Sequence, residues 1–268
     1  MRAPVAAALA ASLAISCGDD PDRTPPATAG GAGTGGGAST TTAIGGTTAT
    51  GGGGVGNGGP GGATSCAAPE SHTGEATYYD FADGSGNCSF DPTPQDLMIG
   101  AMNHTDYADS AACGSCVELT GPNATIAIRI VDRCPECPAG DIDLSPEAFG
   151  FIAELSAGRV PITWHYVECN VTGPVIYHFK EGSNQWWTAV QLRNHRNAIA
   201  AFAYRDDGGS WVDVPRESYN YFVEAAGMGP GPYAFRTTDV HGNVIEDEGI
   251  AFAEAADVAG TSQFPPCR

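Results

Sequence analysis

The sequence predicts a mainly β protein with two folded units, a small barrel followed by an antiparallel sandwich, preceded by a long glycine-rich tether. Three observations predict it. Short runs of alternating apolar and polar residues recur from residue 74 to the C-terminus, the pattern of half-buried strands. Helical spacing is confined to one segment, Pro146–Leu155. Glycine concentrates before the strand-like runs begin, with 17 glycines in the 33 positions of residues 30–62.

Residues 1–17 read as a secretory signal peptide. Met1-Arg2 precedes Ala3–Ile15, thirteen mostly apolar residues, a run too short to span a bilayer. It ends in Ala14-Ile15-Ser16-Cys17, which is similar to a bacterial lipobox. Cys17 is therefore the expected lipidation site, on a protein held outside the cell or on its surface by an outer-membrane lipid anchor. The alternative is a plain signal peptide with an incidental cysteine. Residues 18–65 read as a tether, because Gly/Thr-rich chain cannot bury enough apolar surface to offset its ordering entropy. Glycine does not recur at every third position, so the stretch is not collagen-like.

In the first unit, residues 66–170, strands are expected at Gly74–Phe81, Leu97–Met102, Ser115–Thr120, Thr125–Val131 and Ile162–Glu168. The clearest is Thr125–Val131, where Ile126, Ile128 and Ile130 alternate with Thr125, Ala127 and Arg129. Ser145 is suited to cap a helix and Pro146 to its first position, with Gly158 past its end. Phe149, Ile152 and Leu155 form the expected core face of that helix. Many short strands with one helix suggest a small barrel.

Eight cysteines remain beyond Cys17: Cys66, Cys88, Cys113, Cys116, Cys134, Cys137, Cys169 and Cys267. An even number in an exported chain implies disulfides, whose pairing spacing alone does not choose. A competing pattern is Cys113-Gly-Ser-Cys116 and Cys134-Pro-Glu-Cys137, separated by seventeen residues as in a zinc ribbon. Zinc ribbons are mainly intracellular, and four further cysteines would be left over, so no metal or cofactor is expected.

The segment richest in chemistry runs from Val131-Asp132-Arg133-Cys134 to Asp143-Leu144-Ser145-Pro146. Asp132 ends a hydrophobic strand and Asp143 precedes a helix cap, so both also suit simple turn or capping roles. Together with Gly74-Glu75-Ala76-Thr77-Tyr78-Tyr79 and Cys113-Gly114-Ser115-Cys116, this segment resembles the six-stranded double-psi β-barrel of expansins, as found in microbial expansins and fungal loosenins. The resemblance implies an open polysaccharide groove. Asp143 matches the aspartate on which loosening depends in that family, and Thr77 and Asp132 match groove residues hydrogen-bonded around it. Many bacterial members carry an aromatic residue where this chain has Cys134. Tyr79, two residues beyond Thr77 on the same strand face, is the expected substitute. By analogy with plant members, Cys88 pairs with Cys113 and Cys116 with Cys169; Cys134 with Cys137 and Cys66 with Cys267 are what is left.

After a short junction, residues 174–268 carry strand-like runs at Val175–Lys180, Trp187–Arg193, Ile199–Tyr204, Trp211–Val214, Tyr233–Thr238 and Ile250–Ala253. Gly/Asp/Asn-rich turns separate them, as in an antiparallel sandwich. In a regular strand, Trp186 and Trp187 would point to opposite faces, one buried and one exposed. The run from Lys180 to His195 resembles the immunoglobulin-like carbohydrate-binding sandwich that follows the barrel in expansins. There both tryptophans and a later tyrosine, here Tyr219, form a flat aromatic strip, and Lys180 matches a polar residue beside it. Trp211 and Tyr204 are expected in the core, and His195 in a structural or surface role.

The resemblance implies loosening of cellulose or another glucan without hydrolysis. Glycoside hydrolysis usually requires two carboxylates. Related barrel hydrolases carry their base at the position of Phe81, which leaves Asp80 or Asp132 as partners for Asp143 in a hydrolase or lytic transglycosylase. A purely carbohydrate-binding surface protein is the third reading. The net charge is −19, with −13 on residues 66–173 and −5 on residues 174–268. Such a chain is not a nucleic-acid binder, and it should be repelled by acidic wall polymers. Neutral glucans are the expected partners, with xylan or peptidoglycan as further candidates. A monomer is expected, touching a membrane only through its anchor.

Overall fold

The structure, a computed structural model, describes residues 70–80 and 82–267. The expected signal peptide, the expected lipidation site Cys17, the expected tether, Cys66 and Phe81 lie outside the described residues. Six strands build the barrel: β1 (His72–Tyr78), β2 (Ile99–Asn103), β3 (Cys116–Thr120), β4 (Thr125–Cys134), β5 (Ile142–Leu144) and β6 (Val160–Val167). They close in the order β1-β5-β2-β4-β3-β6. The β1–β5 and β2–β4 pairs are parallel and the others antiparallel. Ile99, Met102, Val117, Leu119, Ile128, Ile130 and Trp164 fill the interior. The indole of Trp164 donates to Gly140 O at 2.7 Å, which satisfies its buried N–H.

Two short helices flank the strands, α1 (His104–Tyr107) and α2 (Pro146–Ile152). Ser145 caps α2, accepting the Ala148 N–H at 3.0 Å. The helix ends at Ile152, one turn earlier than its spacing predicts, because Ala153 is extended and a 3-10 turn over Leu155–Ala157 follows. Phe149 and Ile152 are buried, but the early end carries Leu155 off the core face and leaves it 43% exposed.

Disulfides join Cys88 to Cys113, Cys116 to Cys169 and Cys134 to Cys137, and Cys267 is also disulfide-bonded. The four cysteines with ribbon-like spacing are thus all oxidised and offer no thiolates to a metal.

The second unit packs two antiparallel four-stranded sheets. One has the order β11 (Phe222–Glu224), β8 (Thr188–Arg193), β7 (Ile176–Phe179) and β14 (Asp257–Ala259). The other has the order β10 (Trp211–Asp213), β9 (Ile199–Arg205), β12 (Tyr233–Asp239) and β13 (Val244–Ile250). Between them lie Tyr177, Phe179, Phe202, Phe222, Phe235 and Phe264. The strand expected at Ile250–Ala253 instead runs Val244–Ile250; the acidic run Glu246-Asp247-Glu248 obscures its apolar alternation. Asp247 is buried there because Tyr177 and Thr261 donate to it. Tyr204 packs against the core, but Trp211 does not belong to it. The guanidinium groups of Arg205 and Arg236 both lie over its ring, 4.7 and 4.2 Å from the centroid. Arg236 alternates with buried Phe235 and Thr237, so this is the sheet's outer face. His195 is buried and structural, its Nδ1 2.8 Å from Asn197 O.

Barrel and sandwich are joined by hydrogen bonds. Gln191 and Asn220 donate their amides to Cys88 O at 2.8 and 3.1 Å. Tyr107 donates to Ser218 O at 3.0 Å and Ser110 to Glu217 O at 2.8 Å.

Candidate functional site

Strand register aligns the groove residues. Thr77 on β1 stands opposite Asp143 on β5, Asp143 opposite Ala101 on β2, and Ala101 opposite Asp132 on β4. Side chains opposite one another on paired strands share a face, so this row crosses four strands with small Ala101 between the two aspartates. The Thr77 hydroxyl donates to Asp143 Oδ1 at 2.5 Å. Burial pushes the Asp143 carboxyl above its usual range, and the nearby charges of Glu136 and Asp132 add to this. The Thr77 bond and Arg159 oppose the rise without cancelling it. The surroundings of Asp143 thus favour its neutral form more than those of a solvated aspartate do.

Asp132 is held differently. Its Oδ1 accepts the backbone N–H groups of Asn87 at 2.6 Å and Arg133 at 2.7 Å. Gly86 allows this approach, since a Cβ there would lie 2.4 Å from the Asp132 side chain. Tyr79 follows β1, its N–H donating to Leu144 O at 3.1 Å. Its hydroxyl is buried with no hydrogen-bond partner among the described residues. Burial first, then the charges of Asp132, Asp143 and Asp83, push its pKa upward, so it stays a neutral donor.

The candidate binding aromatics of the sandwich, Trp186, Trp187 and Tyr219, sit on turns. Asn184–Trp187 is a tight turn before β8, closed by the Asn184 N–H to Trp187 O bond at 2.7 Å, and Asn184 Oδ1 accepts the Trp186 N–H at 2.9 Å. Strand alternation therefore does not govern the tryptophans: Trp186 is 72% exposed, Trp187 is half-buried, and neither joins the sandwich core. A neighbouring loop braces the turn, with Gly229 N–H donating to Gln185 O at 3.1 Å. Gly227 has φ +79°, and a Cβ there would meet Gln185 O at 2.1 Å. Tyr219 occupies a second turn and lies 5.9 Å from the Tyr221 ring, over which Lys180 Nζ sits at 5.6 Å. Asn87 connects this turn to the groove: its backbone holds Asp132 while its side-chain amide donates to Ser218 O at 2.8 Å.

A family model described as "Lytic transglycolase" matches residues 71–164. Over 210 residues the chain is 35% identical to Expansin-YoaJ of Bacillus subtilis, a match spanning 75% of this chain and 90% of that one. The chain belongs to the expansin family. Among solved structures, this expansin is similar to the apo expansin of Clavibacter michiganensis, with 32% identity and a TM-score of 0.70 over 74% of this chain and all of that one. It is also similar to a mutant of the Clavibacter protein in complex with cellohexaose, with 31% identity and a TM-score of 0.69 over the same shares.

Several side chains around the site are not singled out by sequence reasoning. Arg133 lies over the Tyr107 ring at 5.8 Å, its Nε buried with no hydrogen-bond partner among the described residues, and Glu136 and Arg159 act electrostatically on Asp143. Tyr221 bridges Lys180 to Tyr219. Arg133 and Glu136 flank the recognisable cysteines in sequence, but nothing in sequence brings Arg159 or Tyr221 to their partners. Asp80, the other candidate partner for Asp143, is exposed and is not among the groups that shift it.

Proposed function

We propose that this expansin loosens cellulose or a related neutral glucan without net bond cleavage. Asp143 makes the hydrogen bond that competes with glucan–glucan contacts. Thr77, Asp132 and Tyr79 shape the groove around it, and Trp186, Trp187 and Tyr219, flanked by Lys180, hold the polymer surface by stacking on sugar C–H faces. The observation that carries this reading is the Thr77–Asp143 pair, a carboxyl raised by burial and held on one strand row with Asp132. The complex of the Clavibacter protein with cellohexaose supports a glucan ligand. The same reading puts the protein outside the cell, exported by its signal peptide and anchored through Cys17, with no cofactor.

The family model over the barrel favours a second reading, a lytic transglycosylase or hydrolase using Asp143 with Asp132. Asp132 is anchored through Oδ1 by the backbone N–H groups of Asn87 and Arg133, a geometry compatible with either reading. Paper-weakening assays with native protein and Asp143→Ala, alongside reducing-end release from cellulose, xylan and peptidoglycan, separate the readings. Weakening without new reducing ends, lost in the variant, is expected. Stoichiometric bond cleavage overturns the non-hydrolytic assignment.

A further inference from the structure

The row that carries Asp132, Ala101, Asp143 and Thr77 reaches its last strand at β1, but polar side chains continue beyond it. β1 also pairs antiparallel with β6; that ladder ends with Ala76 opposite Val160, and the residues just past its end are Thr77 and Arg159. Ala76 and Tyr78 pack against the barrel core, so Glu75 and Thr77 share the outer, groove-side face of β1. Arg159 reaches the same face: its Nη1 lies 2.9 Å from Glu75 Oε2 and 3.5 Å from Asp141 Oδ2. Asp141 stands two residues before Asp143, about 7 Å along the chain.

Surface ion pairs are usually loose, because each long side chain loses entropy in holding one geometry. Here Asp141 ties both residues down. Its side chain is only 9% exposed, and its Oδ1 accepts the Glu75 backbone N–H at 2.8 Å while Oδ2 faces Arg159. The side chains it holds are open to solvent, Arg159 at 52% and Glu75 at 50%. Arg159 Nε and Nη2 and Glu75 Oε1 make no hydrogen bond among the described residues. Fixed donors and a fixed acceptor thus stand side by side, matching two adjacent sugar hydroxyls, each of which can donate and accept. Two carboxylates against one guanidinium leave the cluster negative, which disfavours an acidic sugar and suits a neutral one. The cluster also communicates with the groove: of the charged groups acting on Asp143, Glu136 and Asp132 are negative and Arg159 is the cation.

We propose that Arg159 and Glu75 form a further sugar-binding position of the groove, one strand beyond Thr77, that takes two adjacent hydroxyls of a neutral glucan unit. Arg159 donates from Nε and Nη2 to one hydroxyl oxygen, Glu75 Oε1 accepts the proton of its neighbour, and Asp141 is the positioning residue that holds both. Occupancy of this position presupposes that the Thr77–Asp143 groove binds glucan, as proposed above.

The test is a titration with cellohexaose of the full chain carrying Trp186→Ala, which removes the exposed stacking ring from competition. It is followed by NMR through the Arg159 Nε–H and the Thr77 and Asp143 amide resonances. All three should move together and saturate at one affinity. Arg159→Gln in the same background should weaken the affinity read at Asp143 about fivefold or more, and Glu75→Ala by a similar factor. Arg159→Lys, which keeps the charge without the fork, should weaken it as well. Saturable shifts at Thr77 and Asp143 with none at Arg159, or native-like affinity in Arg159→Gln or Glu75→Ala, overturn this position and leave the glucan groove standing. Native-like affinity in Arg159→Lys alone would mean that charge acts through Asp143, and overturns the direct contact. No saturable shift at any of the three resonances overturns both the position and the groove. If a variant fails to fold by thermal melting, the Arg159 Nε–H response of the Trp186→Ala protein decides.

Discussion

In the barrel, Thr77, Asp143 and Asp132 stand in register on paired strands, with one oxygen of each aspartate held by a hydrogen bond; in the sandwich, Trp186 stands on a turn with most of its surface in solvent. The two surfaces suit different tasks. A hydrogen bond weakens steeply with misalignment, so the groups that make one need a rigid scaffold. Stacking on sugar C–H faces is less directional and is driven by apolar area, so a braced turn is sufficient. On the proposed function, the barrel acts and the turn holds.

The largest test of this division is Asp143→Ala. Losing a hydrogen bond to an ionisable group costs about 1.5–3 kcal/mol, so loosening should fall tenfold or more while cellulose pull-down stays within about twofold. Parallel loss of both breaks the division. Trp186→Ala should do the reverse. Withdrawing an aromatic face worth about 1.5–3 kcal/mol when fully buried should weaken pull-down several-fold and reduce loosening only at low protein concentration. Gly227→Ala should mimic it, because a Cβ there collides with the backbone of the tryptophan turn. Native-like pull-down in both variants removes the turn from the binding surface.

The same contrast governs what could be read from sequence. Strands such as β4 announce themselves through Ile126, Ile128 and Ile130, whereas β5, which carries Asp143, is three residues long and shows no period of its own. Asp143 was legible through the motif around it. Its pairing with Thr77, 66 residues away, depends on a parallel crossover that local pattern does not encode. For the tryptophans, strand alternation was the wrong rule because Asn184 starts a turn there. Leu155 and Trp211 were misplaced for related reasons: an early helix end and a pair of stacking arginines are tertiary outcomes.

A subtler cut through the barrel is Gly86→Ala. The new methyl would lie 2.4 Å from Asp132 and must push it off the row. Overpacking of this kind costs roughly 1–3 kcal/mol. Loosening should drop several-fold with pull-down unchanged, and thermal melting should show a modest loss of stability. Native-like loosening here, with Asp143→Ala inactive, would confine the essential geometry to the Thr77–Asp143 pair.

The smallest expected effect separates the two regions by pH. Burial raises the folded-state pKa of Asp143 above its usual 3.8. The neutral form is therefore favoured on folding, and the stability this brings is fully present below 3.8 and lost as pH rises through the folded pKa. Asp143→Asn removes the charge while its amide oxygen still accepts the Thr77 hydroxyl. Its melting temperature should match or exceed that of native protein by a degree or two, on the order expected for a partly exposed group, at neutral pH. The difference should shrink to nothing as pH falls to about 3. Trp186→Ala, which removes no titrating group, should differ from native by an amount that does not change with pH. A flat difference for Asp143→Asn as well would mean that Asp143 is no more desolvated than the exposed turn, and the contrast between a buried acting groove and an exposed holding surface would fail at its centre.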